Sequence, residues 1–96
     1  MVVFVLDTAS EKLRGILTQW CLELKPGVFV GRIKASVREK IWSLIEESNS
    51  HSGSIMVWQS NTEQGFDMKM TGIPYRKIIE FDGLKLIIRD PKEKTT

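Results

Sequence analysis

The apolar run near the start of the chain is the feature that most limits how the remainder can fold. Residues 2–6, Val-Val-Phe-Val-Leu, are β-branched, aromatic or aliphatic, and no polar residue alternates with them. Such a run predicts a central strand, either covered on both faces or covered on one face and paired through the other. Each covered face needs a partner layer, either from the rest of the chain or from another protomer.

Two segments have the apolar periodicity of amphipathic helices. The first helix is predicted at roughly Glu11–Glu23, where the following residues recur at helical spacing: Leu13, Ile16, Leu17, Trp20, Cys21 and Leu24. Thr8 and Glu11 have the spacing of a capping box, and Ser10 is an alternative N-cap. The second helix is predicted at roughly Lys34–Glu47, with an inner stripe of Val37, Ile41, Leu44 and Ile45.

Short apolar or alternating segments predict the strands. After the first strand these are Val28–Val30, Ile55–Trp58, Phe66–Thr71, the short piece Ile78-Ile79, and Leu84–Ile88. The order predicts an α+β sandwich with two helices on one face of a mostly antiparallel sheet. Because one helix layer leaves the other sheet face bare, the doubly apolar first strand also predicts a homodimer that packs sheet to sheet.

Length and composition bound the class of protein. A chain of 96 residues is expected to form one domain, here residues 1–90, with residues 91–96 as a polar tail or the start of a linker. One cysteine excludes a disulfide framework and multi-cysteine metal sites, and Cys21 is predicted to be a buried thiol. The one histidine, His51, is predicted to be a solvated loop residue. With no apolar run near ~18 residues and no basic flank before the opening run, we expect a reduced, cytoplasmic protein without a membrane segment.

The net charge of +2 averages two unlike segments. Between Lys25 and Lys40 there are five basic residues and one acidic residue, 5 − 1 = +4, whereas Ile41–Met68 holds four acidic residues and no lysine or arginine. In the second predicted helix Lys34, Arg38 and Lys40 lie in the first half, and Glu46 and Glu47 lie at the end. The helix dipole disfavours this placement of charge. A helix start facing phosphate would explain this order, and a solvated face with chance clustering is the alternative.

The residues that could carry chemistry are few. No phosphate-binding glycine loop and no Ser/His/Asp or Cys/His nucleophilic set occurs in the sequence. Asp7 ends the first strand, and a carboxylate there can bind a divalent cation, but one carboxylate is too few for a metal-dependent nuclease. A symmetric dimer would bring two copies of Asp7 to one Mg²⁺ or Mn²⁺, whereas the alternative is a turn or cap residue.

A second candidate is a distributed surface for polyanions. Its basic residues are Lys12, Arg14, Lys25, Arg32, Lys34, Arg38, Arg76 and Lys77. The set lacks the pattern of base-edge readout, so it predicts contact with a nucleic-acid backbone independent of sequence.

Five segments resemble one known family in the order in which that family has them. They are Lys12-Leu13-Arg14-Gly15 followed by Trp20, Pro26–Gly31, Arg38–Trp42, Asn61–Phe66 and Asp82–Leu86. Together they cover about Val2 to Ile88, and the chain resembles the CRISPR-associated protein two family, in its subtype I-E branch.

The resemblance implies a fold, an assembly and a set of roles. The implied fold is ferredoxin-like βαββαβ, with Val28–Ile33 bent into two short strands, in a prokaryotic, cytoplasmic homodimer. In the I-E branch the dimer bridges two dimers of the CRISPR integrase and holds the backbone of double-stranded prespacer DNA, with no cofactor required. In the wider family Asp7 occupies the position of an aspartate paired across the dimer in a nuclease dependent on Mg²⁺ or Mn²⁺.

The resemblance also assigns individual positions. Lys12 and Arg14 match a basic pair on the first helix, Lys25 matches a basic position before the turn, and Arg76 matches one of two adjacent arginines. Tyr75 replaces the other arginine, and Lys77, on the other side of Arg76, is the candidate to compensate for the lost charge. The segment implied to dock on the integrase is Leu84, Lys85, Leu86, Ile87, Ile88 and Arg89. Some members continue into an exonuclease-like domain, with which the polar tail is compatible.

The sequence and the resemblance leave three candidate functions for this protein. The first is a non-catalytic adaptor of spacer acquisition, and its rival is an endonuclease of RNA or DNA that uses paired Asp7. An RNA-recognition module on the same fold ranks last, because it predicts an aromatic-rich stretch such as Lys/Arg-Gly-Phe-Gly-Phe, which the chain lacks.

Overall fold

The computed structural model describes residues 1–48, 53–72, 76–81 and 84–89. These residues form two helices and seven strands in the order β1 (Val2–Leu6), α1 (Glu11–Trp20), β2 (Leu22–Lys25), β3 (Val28–Gly31), α2 (Ala35–Ser48), β4 (Ser54–Gln59), β5 (Phe66–Thr71), β6 (Arg76–Phe81) and β7 (Leu84–Arg89). The predicted α+β class is confirmed.

The main sheet is antiparallel and has β1 at its centre. Its strand order is β2-β3-β1-β4-β5, and β6 pairs with β7 in a separate two-stranded sheet. The order β2-β3-β1-β4, with one helix after β1 and one after β3, is the ferredoxin-like arrangement, to which β5 adds an edge strand. The expected central position of the first strand is confirmed, because β1 pairs with both β3 and β4.

The core lies between the sheet and the two helices. It is one cluster formed by alternate residues of the central strands and the inner faces of both helices: Val2, Phe4, Leu6, Leu13, Leu17, Phe29, Ile41, Trp42, Ile45 and Met56. The helices therefore cover a single face of the sheet, as the sequence predicts. The second helix agrees with its predicted bounds to within one residue at each end.

The first helix is shorter than predicted. It ends at Trp20 rather than Glu23, and the Cys21 N–H closes it with a 2.8 Å hydrogen bond to the Leu17 carbonyl. Leu22–Lys25 instead forms β2, which pairs with β3. The expectation that Val28–Ile33 bends into two strands is also wrong, because the partner of β3 comes from this earlier segment. At the other end of the helix Ser10 is the N-cap, and its hydroxyl accepts from Leu13 N–H at 3.1 Å.

The turn between β2 and β3 explains why the chain leaves the helix early. Gly27 has φ +85°, and a Cβ there would lie 2.3 Å from the Leu6 carbonyl oxygen. The Gly27 carbonyl accepts a 2.8 Å hydrogen bond from Leu6 N–H. Only glycine combines this backbone angle with such a close approach, so the turn is fastened to the end of β1.

The remaining strand predictions are confirmed where the structure describes them. β4 and β5 pair around the loop predicted at Asn61–Gly65, and β6 and β7 pair as the last two strands. His51 and the turn at Asp82-Gly83 lie outside the described residues. Neither α1 nor α2 is long and apolar enough to cross a membrane.

Candidate nucleic-acid interface and open sheet face

The sheet face opposite the helices is apolar and only partly covered. Strand alternation and register place apolar residues over most of this open face: Val3, Val5, Leu22, Val28, Val30, Ile55, Val57, Phe66, Met68 and Met70. Lys25, beside the irregularity in β2, and Gln59 lie at its margins. Val5 is 37% exposed and Leu22 is 66% exposed, whereas Met68, on the strand that contacts β6, is buried. The open face is thus continuous across five strands, and β5 at its edge contacts β6.

One group of predicted basic residues lies at the end of the sheet where β1 finishes. Lys12 and Arg14 are exposed in the first half of α1, and Lys25 is exposed at the end of β2, which runs parallel to β1. Arg14 Nε lies 3.6 Å from a carboxylate oxygen of Glu23, which also accepts from Gly27 N–H at 3.2 Å. Glu23 thereby links the helix to the β2–β3 turn.

A second group lies at the opposite end of the sheet. Arg32 and Lys34 are exposed between β3 and α2, beside the start of β1, because Gly31 pairs with Val2. The Lys34 carbonyl accepts the first backbone hydrogen bond of α2, from Arg38 N–H at 2.9 Å. The segment that is contiguous in sequence from Lys25 to Lys40 is therefore divided between two ends of the molecule.

Arg38 is less exposed than the other basic candidates whose side chains are described. Its guanidinium carbon lies 4.3 Å from the centroid of the Trp58 ring, and its Nε donates to Glu39 at 3.0 Å. Only 17% of its side chain is exposed. The charge of Arg38 is therefore already engaged within the protomer, as a cation–π contact and an ion pair.

The neighbouring carboxylates belong to the same edge network, defined here as Arg38, Glu39, Asp67, Lys69 and Lys85. Lys69 Nζ donates to Glu39 at 2.6 Å, and this contact is the main cause of the lowered pKa of Glu39. Lys85 Nζ pairs with Asp67, and this contact is the main cause of the lowered pKa of Asp67. Charges thus replace apolar packing between the start of α2 and β5.

Asp7 is exposed directly after β1. Its backbone N–H donates to the Gly53 carbonyl at 2.8 Å, which fixes the chain where the strand ends. Among the described residues no group of three or more histidine, cysteine, aspartate or glutamate side chains could hold a metal ion. The described part of one protomer therefore does not fit a divalent metal centre by itself.

Cys21 is half-buried at the end of α1 and packs against the core, and burial raises the pKa of its thiol. A Cβ on Gly31 would lie 3.0 Å from its sulfur, which shows how closely β3 passes the helix end. The prediction of a buried thiol is met only in part, because Cys21 packs against the core but is half-buried at the helix cap rather than buried in the helix interior.

The predicted docking segment is only partly described. Leu84 and Lys85 are half-buried, and Leu86 and Ile87 are 40% and 38% exposed. The side chains of Arg76, Lys77, Ile88 and Arg89 lie outside the described residues, although their backbone belongs to β6 and β7.

Glu23 and Gln64 are among the contacting residues that the sequence patterns did not predict. Glu23 was placed at the end of a helix, and the alternation of leucine with charged residues over Leu22–Lys25 is the signal that would have placed it on a strand. Gln64 was considered only as part of a loop, yet its amide makes two hydrogen bonds to Lys85. No local pattern indicates this contact, because the two residues are 21 positions apart.

One comparison with known proteins bears on identity. Residues 1–86 match the family model described as CRISPR-associated protein (Cas_Cas2CT1978). The match spans both helices, the whole main sheet and the start of β7, and it agrees with the ferredoxin-like order of the elements. The narrower assignment to the subtype I-E branch stays a prediction. This chain belongs to the Cas_Cas2CT1978 family of CRISPR-associated proteins.

Proposed function

We propose that this protein is a structural adaptor of CRISPR spacer acquisition in the prokaryotic cytoplasm. In this role a homodimer bridges two dimers of the CRISPR integrase and binds the backbone of double-stranded prespacer DNA without sequence specificity. The observation that carries the proposal is the open apolar sheet face in a chain of a CRISPR-associated family. A protomer that leaves one face of its five-stranded sheet partly exposed is suited to be half of an assembly.

The composition of the open face supports the homodimer. Valine, isoleucine, leucine and methionine side chains occupy it, and each gains free energy when removed from water. A two-fold axis would place the same face of a second copy against it, since isologous contacts use one patch twice. The partner chemistry that fits is therefore another apolar sheet, which a second protomer supplies.

The exposed basic residues at both ends of the sheet support duplex binding. Lys12, Arg14 and Lys25 at one end and Arg32 and Lys34 at the other are exposed. In a dimer these groups are present twice, so cations are spread over an extended surface. Spread lysine and arginine side chains suit phosphates along a duplex, and such binding weakens as salt rises.

The duplex interaction is tested by removing Lys12 and Arg14 together. We expect the Lys12→Ala/Arg14→Ala variant to bind every duplex sequence more weakly and to reduce the slope of log K against log salt by about one for each phosphate that is no longer neutralised. Lys40→Ala is the matched control, because Lys40 is an exposed lysine on α2 outside both basic groups. An unchanged slope in the double variant, or an equal change in the control, would refute the assignment.

The alternative function is an endonuclease that uses Asp7 from both protomers. The observation that favours it is the exposed carboxylate held directly at the end of the central strand. Because the described part of one protomer does not fit a metal centre, this activity would depend on the second copy.

The Asp7→Ala variant separates the two functions. The adaptor predicts that this variant still dimerises, captures the integrase and supports spacer integration at the wild-type level. Cleavage of RNA or DNA that requires Mg²⁺ or Mn²⁺ and disappears in Asp7→Ala, together with loss of integration, would favour the nuclease. The assay compares integration and cleavage in the same preparations, with dimer content checked by sedimentation.

A further inference from the structure

The β6–β7 hairpin needs an anchor, because an isolated two-stranded hairpin is only marginally stable in water. The main sheet does not extend into it, since β6 and β7 form a sheet of their own. The described contacts that tie β7 to the rest of the protomer come from the loop between β4 and β5 and from β5 itself.

The central contact is made by the side-chain amide of Gln64. Its Nε2 donates to the Lys85 carbonyl at 2.7 Å, and its Oε1 accepts from Lys85 N–H at 2.7 Å. A carboxamide offers one acceptor and a donor side by side, as a peptide group does. Gln64 therefore takes the place of one residue of a third strand beside β7.

These bonds also define which edge of β7 is in use. Lys85 pairs with Glu80 of β6, and its N–H and C=O point to Gln64, away from β6. In an antiparallel ladder the outward direction recurs at every second residue, so the backbone groups of Ile87 share this outer edge. The Gln64 amide occupies the outer edge at Lys85, and Ile87 is the next residue of β7 on that edge.

The loop that carries Gln64 is itself fixed. Gly65 has φ +86°, and its N–H donates to the Thr62 carbonyl at 2.9 Å while its carbonyl accepts from Ser60 N–H at 3.1 Å. The Thr62 hydroxyl donates to the Phe66 carbonyl at 3.3 Å. These internal hydrogen bonds fix the loop backbone, and therefore the position from which the Gln64 side chain extends.

A second contact holds the same residue from another direction. The Lys85 ammonium pairs with Asp67 on β5, and Asp67 also accepts from Met68 N–H at 2.8 Å. Lys85 is thus engaged by its backbone and its side chain, whereas Leu86 and Ile87 beyond it are exposed. The residue of β7 that contacts its own protomer is therefore followed directly by the two residues that are exposed to solvent.

We propose that Gln64, supported by Asp67, is a positioning residue that holds Lys85 so that Leu86 and Ile87 of β7 are presented to the docking partner. This inference rests on the proposed function, in which that partner is the integrase. It assigns different tasks within the predicted docking segment: Lys85 anchors the strand to its own protomer, and Leu86 and Ile87 make the contact.

The test uses the full chain and three variants. Gln64→Ala removes both hydrogen bonds, and Gln64→Asn keeps the amide but is one methylene too short to reach Lys85. Asn61→Ala is the matched control, because it deletes an exposed amide from the same loop. The readouts are hydrogen exchange of the Lys85 amide by NMR, integrase affinity and duplex affinity.

We expect Gln64→Ala and Gln64→Asn to exchange the Lys85 amide about tenfold faster, as removal of a net hydrogen bond predicts, and to bind the integrase about tenfold more weakly. Duplex affinity should be unchanged, which a general loss of stability would not allow. Wild-type exchange in Gln64→Ala, or faster exchange with wild-type integrase affinity, would overturn the proposal. Equal effects in Asn61→Ala would also overturn it. If the wild-type chain itself fails to bind the integrase, the proposed function is refuted, and the exchange data alone then decide whether Gln64 holds Lys85.

Discussion

The two faces of β1 carry the same kind of side chain and have opposite surroundings. Phe4 is fully buried beneath α1 and α2, whereas Val5, the next residue, is 37% exposed on the open face. The cause is the placement of both helices on one side of the sheet, since neighbouring strand residues point to opposite faces. Apolar content thus shows that a surface must be covered, but the topology decides whether the same chain covers it.

The largest effect is expected from removing a side chain on the covered face. Phe4→Ala should lower the free energy of unfolding by about 3–5 kcal/mol, because it leaves a cavity in a core that includes residues of both helices. Urea denaturation measures this cost, and it should be independent of protein concentration.

Val5→Ala is the matched substitution on the open face. In a protomer alone it should cost about 1 kcal/mol or less, the range of strand propensities. In a dimer its cost should grow with protein concentration, because the side chain is then buried by association. A destabilisation equal to that of Phe4→Ala at every concentration would remove the distinction between the two faces.

A smaller effect on the free energy of unfolding is expected from the edge network, where charged side chains replace apolar ones on the covered face. Glu39 and Asp67 have pKa values below their ordinary values of 4.5 and 3.8, chiefly because Lys69 and Lys85 donate hydrogen bonds to them. Their contribution to stability is complete above those ordinary values and is lost as the pH falls through the lowered folded-state pKa values. Glu39→Gln should therefore flatten the fall in stability below about pH 4.5, by less than about 1 kcal/mol for an exposed pair.

That prediction is measured by urea denaturation at a series of pH values, with Glu46→Gln as the control, since Glu46 is an exposed glutamate of the same helix. If the free energy of unfolding falls with pH in parallel for the wild type and Glu39→Gln, the ion pairs of the edge network do not stabilise the protein.

Apolar periodicity correctly predicted the elements in which one pattern, helical or alternating, continues from end to end. β1, α2, β4 and β5 each follow one apolar pattern over their length, and their positions are confirmed. The end of α1 was wrong because Trp20, Cys21 and Leu24 fit a helical spacing that continues past the true end. The decisive interaction is the fastening of Gly27 to Leu6, a contact between distant segments that no local pattern contains.

In the candidate site too, local sequence features were predicted correctly and contacts between distant segments were not. Exposure of Lys12, Arg14 and Lys25 was expected from their residue types and agrees with the structure. The packing of Arg38 on Trp58 was not foreseen, because the two residues belong to different elements, α2 and β4, and meet only in the folded protomer. Charge patterns in sequence therefore find basic residues without showing which charges are already engaged.

The central claim is that a second copy of the chain covers the open sheet face, and sedimentation equilibrium of the wild type and Val5→Lys tests it most directly. Ser43→Lys, which adds the same charge to an exposed position of α2, is the control. We predict a dimer for the wild type and for Ser43→Lys, and a folded monomer with unchanged circular dichroism for Val5→Lys, because the ammonium would be buried without a partner in the dimer. A wild-type monomer, or a Val5→Lys variant that dimerises as well as the wild type, would contradict the account.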